Sequence, residues 1–152
     1  MHHFSKKIIS DYEIKQLYEL VSDINQYPKF IPWCDNLRIL KQEKNSIEAE
    51  VVIKALGIRE KYISNITLFP IKKGKAAVLI TSNSSPFKQM ESQWLLTKAD
   101  NHKTEVHFSI TFALKSRISE LAISQMSPLA CEKIINAFQA RANELFNNTL
   151  IK

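Results

Sequence analysis

A change of hydrophobic period along the chain constrains this fold more than any other feature of the sequence. Between Leu37 and Ser116 apolar and polar residues alternate, the repeat of strands with one buried face. Val106, Phe108, Ile110, Phe112 and Leu114 alternate with His107, Ser109, Thr111 and Ala113, and Ile47, Ala49, Val51, Ile53 and Ala55 alternate with Glu48, Glu50, Val52 and Lys54. Turn formers interrupt the pattern at Lys44–Ser46, Leu56–Gly57, Pro70–Lys75, Ser82–Pro86 and Ala99–Lys103, which predicts five or six antiparallel strands. On either side the period becomes helical. Ile14, Leu17, Tyr18, Val21 and Ile24 recur at three- and four-residue spacing after Ser10-Asp-Tyr-Glu, which has the form of a capping box. Leu129, Ile134, Ile135, Phe138, Ala142, Leu145 and Phe146 form a longer stripe from about Pro128 to Asn148. Ser127-Pro128 reads either as the start of that helix, with Ile118–Met126 a separate short one, or as a kink in one longer helix.

The order β, α, a run of β, then a long α needs an α+β architecture. A sheet with one apolar face must be covered, and a helix of some 20 residues, about 30 Å long, can lie across it. Ahead of the first helix His3–Ile9 reads as a strand. Behind it, Tyr27-Pro-Lys-Phe-Ile-Pro-Trp33 reads as an aromatic-rich turn or short helix, because two prolines remove amide donors. The chain reads as a single domain over residues 1–152.

Composition excludes several function classes. There are only two glycines, Gly57 and Gly74, so no glycine-rich nucleotide loop can be built. The longest apolar run, Ala76–Ile80, is far short of a membrane span, and the first nine residues lack the form of a secretion signal. A cytoplasmic location is the expectation, with at most peripheral contact at the inner membrane. Cys34 and Cys131 lack metal-site spacing. The net charge of +6 is spread thinly, with Lys72, Lys73 and Lys75 its one basic cluster, and it does not argue a DNA-binding groove.

Catalytic signals are equally sparse. His2, His3, His102 and His107 fall at a terminus, in a turn and on an outer strand face, no Gly-x-Ser-x-Gly elbow occurs, and the acids are scattered. The expectation is a protein that is not an enzyme and carries no catalytic cofactor. Val51, Ile53, Leu79, Val106, Phe108, Ile110, Phe112, Ile134 and Phe138 are the inward set; periodicity does not distinguish a solid core from a hollow one. Phe30 and Trp33, in the proline-braced segment, are candidates for closing or gating one end. Tyr62 and Glu60 share one strand face and Arg59 takes the other, so an inward Tyr62 would offer a hydroxyl to a ligand. Trp94 reads as core, Cys34 as a small inert hydrophobe, and Arg141, at the edge of an apolar stripe, as half of an ion pair.

Several of these segments occur together in one family. Ser-Lys-Lys-Ile at 5–8, Leu17-Tyr-Glu-Leu-Val-Ser-Asp-Ile24, Tyr27-Pro-Lys-Phe-Ile-Pro-Trp-Cys34, Ser85-Pro-Phe-Lys88 followed by Trp94, and Ala137-Phe-Gln-Ala-Arg-Ala142 resemble the coenzyme Q-binding protein family. That family is part of the START-like, polyketide cyclase/dehydrase and lipid transport superfamily. One departure is Ser85, where the family usually has Gly. The resemblance implies a helix-grip fold in which a curved antiparallel sheet wraps a long C-terminal helix around a hydrophobic tunnel. It also implies a bound ubiquinone or related prenyl lipid, held as carrier or chaperone in support of respiration, with transient contact at a membrane surface. Phe30, Trp33, Val51, Ile53, Tyr62, Leu79, Phe108, Ile110, Phe112, Ile134 and Phe138 are the expected ligand-binding residues. Bacterial members are also described as toxins that hinder ribosomal subunit joining, so the ribosome is the alternative partner.

Overall fold

A computed structural model describes the backbone of residues 1–55, 58–115 and 117–151 and the side chains of 1–54, 59–115 and 129–147. Its elements are β1 (His2–Ser10), α1 (Ile14–Ser22), a 3-10 turn (Ile24–Gln26), α2 (Tyr27–Phe30), β2 (Cys34–Gln42), β3 (Ser46–Ala55), β4 (Ile58–Lys72), β5 (Lys75–Ser82), β6 (Phe87–Lys98), β7 (Thr104–Leu114) and α3 (Arg117–Ile151). Every neighbouring strand pair is antiparallel, in the order β1-β7-β6-β5-β4-β3-β2. The curved sheet grips the helices on its apolar face, with α1 against β4, β5 and β6 and α3 against β1 and β7.

The alternation read in β7 reappears as burial: Val106, Phe108, Phe112 and Leu114 are buried while His107, Ser109 and Ala113 are only half-buried. Strand ends hold the core of the half nearest α1. There Leu17 and Val21 meet Ala76, Val78, Leu96 and Val106, all nearly sealed from solvent. Phe138 of α3 is fully buried and its ring lies 4.9 Å from Trp94, which in turn lies 4.6 Å from Phe108. Polar ties close the same end: the Tyr12 hydroxyl donates to Asn143 Oδ1 at 2.6 Å, and Thr104 Oγ1 donates to the Tyr12 carbonyl at 2.8 Å.

Two local expectations are corrected and one open choice is decided. Ser10 does not cap α1, because it is the last residue of β1, paired with Thr104. The cap is Glu13, whose side chain accepts from the Gln16 amide while Gln16 Oε1 accepts from the Glu13 amide at 3.1 Å. Pro70 does not end its strand; β4 continues to Lys72 across a register shift, and the reversal is made by Lys73 and Gly74, both at positive φ. Of the two readings open at Ser127-Pro128, the one longer helix is the one found: Pro128 lies inside α3, a helix of 35 residues. The side chains of Ile118–Met126, Ser127 and Pro128, and the Leu56–Gly57 turn, lie outside the described residues.

Candidate ligand cavity

Below the sealed half, towards the strand ends at Cys34, Ser82, Phe87 and Leu114, the described side chains of the sheet and of α3 stand apart. They enclose a cavity of about 250 Å³, about eight times the volume of a water molecule in the liquid. Strand register explains its walls. Phe4, Ile110, Ser92, Ile80 and Ile66 lie directly opposite one another across five strands and all line it; Leu37, Val51 and Tyr62 form a second row on β2, β3 and β4. Ala130, Cys131 and Ile134 of α3 form the roof, and Trp94 and Phe108 separate the cavity from the sealed half. Half-buried lining residues show where it reaches the surface: Ile31, Pro32, Trp33 and Cys34 on one side, Ala130 and Ile134 on the other.

Eight of the eleven expected ligand-binding residues line this space: Trp33, Val51, Ile53, Tyr62, Phe108, Ile110, Phe112 and Ile134. Three do not. Leu79 points to the other face of β5, since its neighbours Val78 and Ile80 face inward, and it sits between Thr67 and Gln93. Phe138 belongs to the sealed core, against Trp94. Phe30 packs edge-on to Tyr27, with ring centres 5.7 Å apart, outside the lining. Val106, placed inward by its alternation, is core as well. Sequence reasoning missed Ser64, Ser92, Phe87 and Met90 as lining residues. For Ser64, Ser92 and Met90 the signal was parity with inward neighbours, which becomes visible once strand pairing is known; Phe87 breaks that parity across the register shift between Phe87 and Gln89.

Among the described lining residues no side chain is an acid, a histidine, a lysine or an arginine. A charged ligand group buried there would lose its hydration without a counter-ion, so the cavity suits a neutral ligand. Its polarity comes from hydroxyls and thiols. Tyr62 is set edge-on to Phe87, ring centres 4.9 Å apart, and burial raises its hydroxyl above the ordinary range, with Cys34 adding to the shift. The hydroxyl therefore stays protonated and donates. Tyr62, Ser64 and Ser92 make no side-chain hydrogen bond among the described residues, whereas Ser82 Oγ donates to the Ile63 carbonyl at 2.6 Å and the Tyr27 hydroxyl is committed to the Val21 carbonyl. Cys34 is pushed up to about 11, first by burial and then by Asp35, so its thiol is neutral near pH 7. Burial also raises Cys131, against an opposing effect of Lys6.

Other candidates fall elsewhere. Arg141 pairs with Glu144 at 3.2 Å, and its buried Nε has no partner. Arg59 turns outward to Asp35 at 3.5 Å, opposite in parity to Tyr62, and Glu60 is exposed. Among the described residues no group of three or more His, Cys, Asp or Glu side chains is placed to hold a metal ion. No described helix is long and apolar enough to cross a membrane.

The family model described as polyketide cyclase / dehydrase and lipid transport matches residues 10–139. The chain belongs to this family. Among curated members, the ribosome association toxin RatA of Rickettsia prowazekii is 34% identical over 145 residues, covering 95% of this chain and 99% of that protein. The mitochondrial coenzyme Q-binding protein COQ10 homolog B of Xenopus laevis is 22% identical, with 94% of this chain matched to 59% of that protein. A solved START superfamily protein from Mycobacterium smegmatis superposes with a TM-score of 0.75 at 14% identity, covering 95% of this chain and 99% of that one. The fold is therefore the START-like helix grip. The family's description spans both cyclases and lipid transport.

Proposed function

We infer that the chain binds an isoprenoid quinone such as ubiquinone, or a closely related neutral ring-headed lipid, as a carrier rather than an enzyme. The observation that carries this reading is the apolar cavity with three uncommitted hydroxyls, those of Tyr62, Ser64 and Ser92. A quinone ring offers carbonyl acceptors and no charge, which suits a protonated phenol set in an apolar wall. The cavity takes a ring-sized head and the start of a tail, and the remainder of a long tail would leave between Trp33 and Ala130. Each buried CH₂ contributes about 0.8 kcal/mol, so the walls supply affinity and the hydroxyls orientation. The coenzyme Q-binding relative supports the same ligand class. The test is organic extraction of the purified protein with mass spectrometry for prenyl lipids, followed by titration of emptied protein with a short-chain ubiquinone. Trp33 and Trp94, the chain's two tryptophans, both line the cavity and would be quenched by a bound quinone. Absence of prenyl lipid together with absence of quenching removes the reading.

A second reading, ribosome binding, rests on the β4–β5 turn and on the toxin relatives. Lys72, Lys73 and Lys75 project there, exposed and outside any ion pair among the described residues, at the end of the sheet away from the cavity. Such cations suit phosphate contacts, whose binding weakens steeply with salt. Sucrose-gradient profiles decide it: an unchanged proportion of joined subunits at large protein excess excludes this role.

A further inference from the structure

The lining of the cavity is one-sided in its hydrogen bonding. Part of its polarity is already committed: the Tyr27 hydroxyl accepts from the Trp94 indole and donates to the Val21 carbonyl, and Cys34 Sγ is turned to the Asn36 carbonyl at 4.0 Å. What remains for a ligand is Tyr62, Ser64 and Ser92, the Cys131 thiol in the roof and, at the opening, the Trp33 indole. Each of these carries a hydrogen to donate. Among the described lining residues only Met90 has a side-chain atom that accepts without also donating, and a thioether is a weak acceptor.

The architecture keeps strong acceptors out. Strand carbonyls lie in the plane of the sheet and are bonded along its ladders, and those of α3 run along the helix axis, so neither set is aimed into the space between them. Past the end of the β4–β5 ladder the Ile63 carbonyl accepts from Ser82 Oγ at 2.6 Å, and the Ile63 amide donates to Ser84 Oγ at 3.2 Å. Carboxylates stay outside: Asp35 is held by Arg59, and Glu60, on the same strand face as Tyr62, is exposed and does not line the cavity.

This imbalance separates two forms of one ligand. A quinone brings carbonyls and no hydrogen to donate, so a hydroxyl that meets it is satisfied and nothing is left over. Its quinol brings O–H groups in their place. A contact between two hydroxyls makes one bond from two hydrogens, and the spare hydrogen is buried without an acceptor, which is costly. We infer that the cavity selects head groups that only accept hydrogen bonds, and so holds a quinone in its oxidised form in preference to the quinol. The inference rests on the carrier reading and adds to it which redox form is carried. Reduction adds two electrons and two protons to the ring carbonyls and gives the form that fits worse, so the bound quinone is harder to reduce than the free one. A tenfold preference for the oxidised form lowers its two-electron potential by about 30 mV.

The test is anaerobic isothermal titration of the delipidated full chain with three molecules that share one short prenyl tail: the ubiquinone, its quinol, and the dimethyl ether of that quinol, whose oxygens only accept. The quinone and the ether should each bind about tenfold more tightly than the quinol, and voltammetry of the bound quinone should show the corresponding negative shift. This ranking on the parent chain needs no variant to fold. Two variants then locate the effect. Ser92→Asn and Ser92→Leu add side chains of nearly equal size to the same space, but only asparagine adds a carbonyl. The ratio of quinone to quinol affinity should fall about threefold or more in the first and keep the parent value in the second. Quinol binding as tight as quinone, ether binding as weak as quinol, or one ratio shared by the two variants overturns the inference and leaves the carrier reading in place. If none of the three molecules binds, the carrier reading falls and the inference with it.

Discussion

Replacing Ser92 with leucine tests whether the space between sheet and helix is vacant. Ser92 is 7% exposed, stands between Ile80 and Ile110 in the row that lines the cavity, and commits its hydroxyl to no other described side chain or backbone group. A leucine side chain there would extend into empty apolar volume. Burying it is favourable by about 1.5–3 kcal/mol, less about 0.5–1 kcal/mol of rotamer entropy, which leaves the folded state about 1–2 kcal/mol more stable. For a chain of this size that is a rise of about 2–8 °C in Tm. Thermal melting with a denaturant titration at constant m-value reads the effect directly. The same variant should bind short-chain ubiquinone more weakly, since it fills part of the cavity and removes one hydroxyl. A loss of about 1–3 kcal/mol, the usual penalty for overpacking a filled core, would refute the reasoning, because it would mean that the space is already occupied by the protein's own atoms.

Tyr62→Phe should leave stability within about 0.5 kcal/mol of the parent, as the hydroxyl has no internal partner, and weaken quinone binding by about 0.5–1.5 kcal/mol; isothermal titration measures it, and unchanged affinity would place the head group elsewhere. Phe138→Ala should cost about 3–5 kcal/mol in chemical denaturation while Leu79→Ala costs under about 1 kcal/mol, because one ring is sealed against Trp94 and the other side chain lies on the outer face; similar losses for the two would contradict the assigned faces. Cys34 should react with iodoacetamide slowly at pH 8 and faster as pH rises towards about 11, more slowly when quinone is bound. Its unfolded thiol ionises near 9 and its folded thiol near 11, so its contribution to stability is complete below the first value and is lost as pH rises through the second. A rate that saturates near pH 9 would show that burial does not hold the thiol neutral.

Where the sequence pattern had a definite phase, the structure was readable from it. The alternation in Val106–Leu114 set the inward face of β7, and Ile134, Ile135, Phe138, Ala142 and Phe146 of the helical stripe set the inward side of α3, whereas Leu129 and Leu145, read into the same stripe, are exposed. Where the phase was ambiguous the reading slipped. Ala76–Ile80 is apolar at every position, so nothing local says which parity faces inward; only pairing with Ile66 and Ser92 turns Ile80 in and Leu79 out. Ser10 and Glu13 had the spacing of a capping box, but the ladder to Thr104 claimed Ser10 for the sheet. Phe138 and Ile134 lie one turn apart on the same helix. Whether each touches a cavity or a core depends on where Trp94 and Phe108 close the space, which is a matter of packing across strands and not of period. Ser64 and Ser92 share parity with inward neighbours, but an inward serine in a strand does not by itself say whether a ligand or the core lies in front of it.

The edge arrangement of the sheet has a kinetic consequence. His2 pairs with Phe112 and Ser10 with Thr104, so β1 finds its hydrogen-bonding partner only after the other strands of the sheet have been made. Closure of such a distant pair spends chain entropy before any contact compensates for it, which slows folding relative to a protein of local contacts. Phe4 joins the row of wall residues in that same late step. A nascent chain therefore has no complete binding chamber until β1 has docked beside β7 and α3, made later still, has supplied the roof.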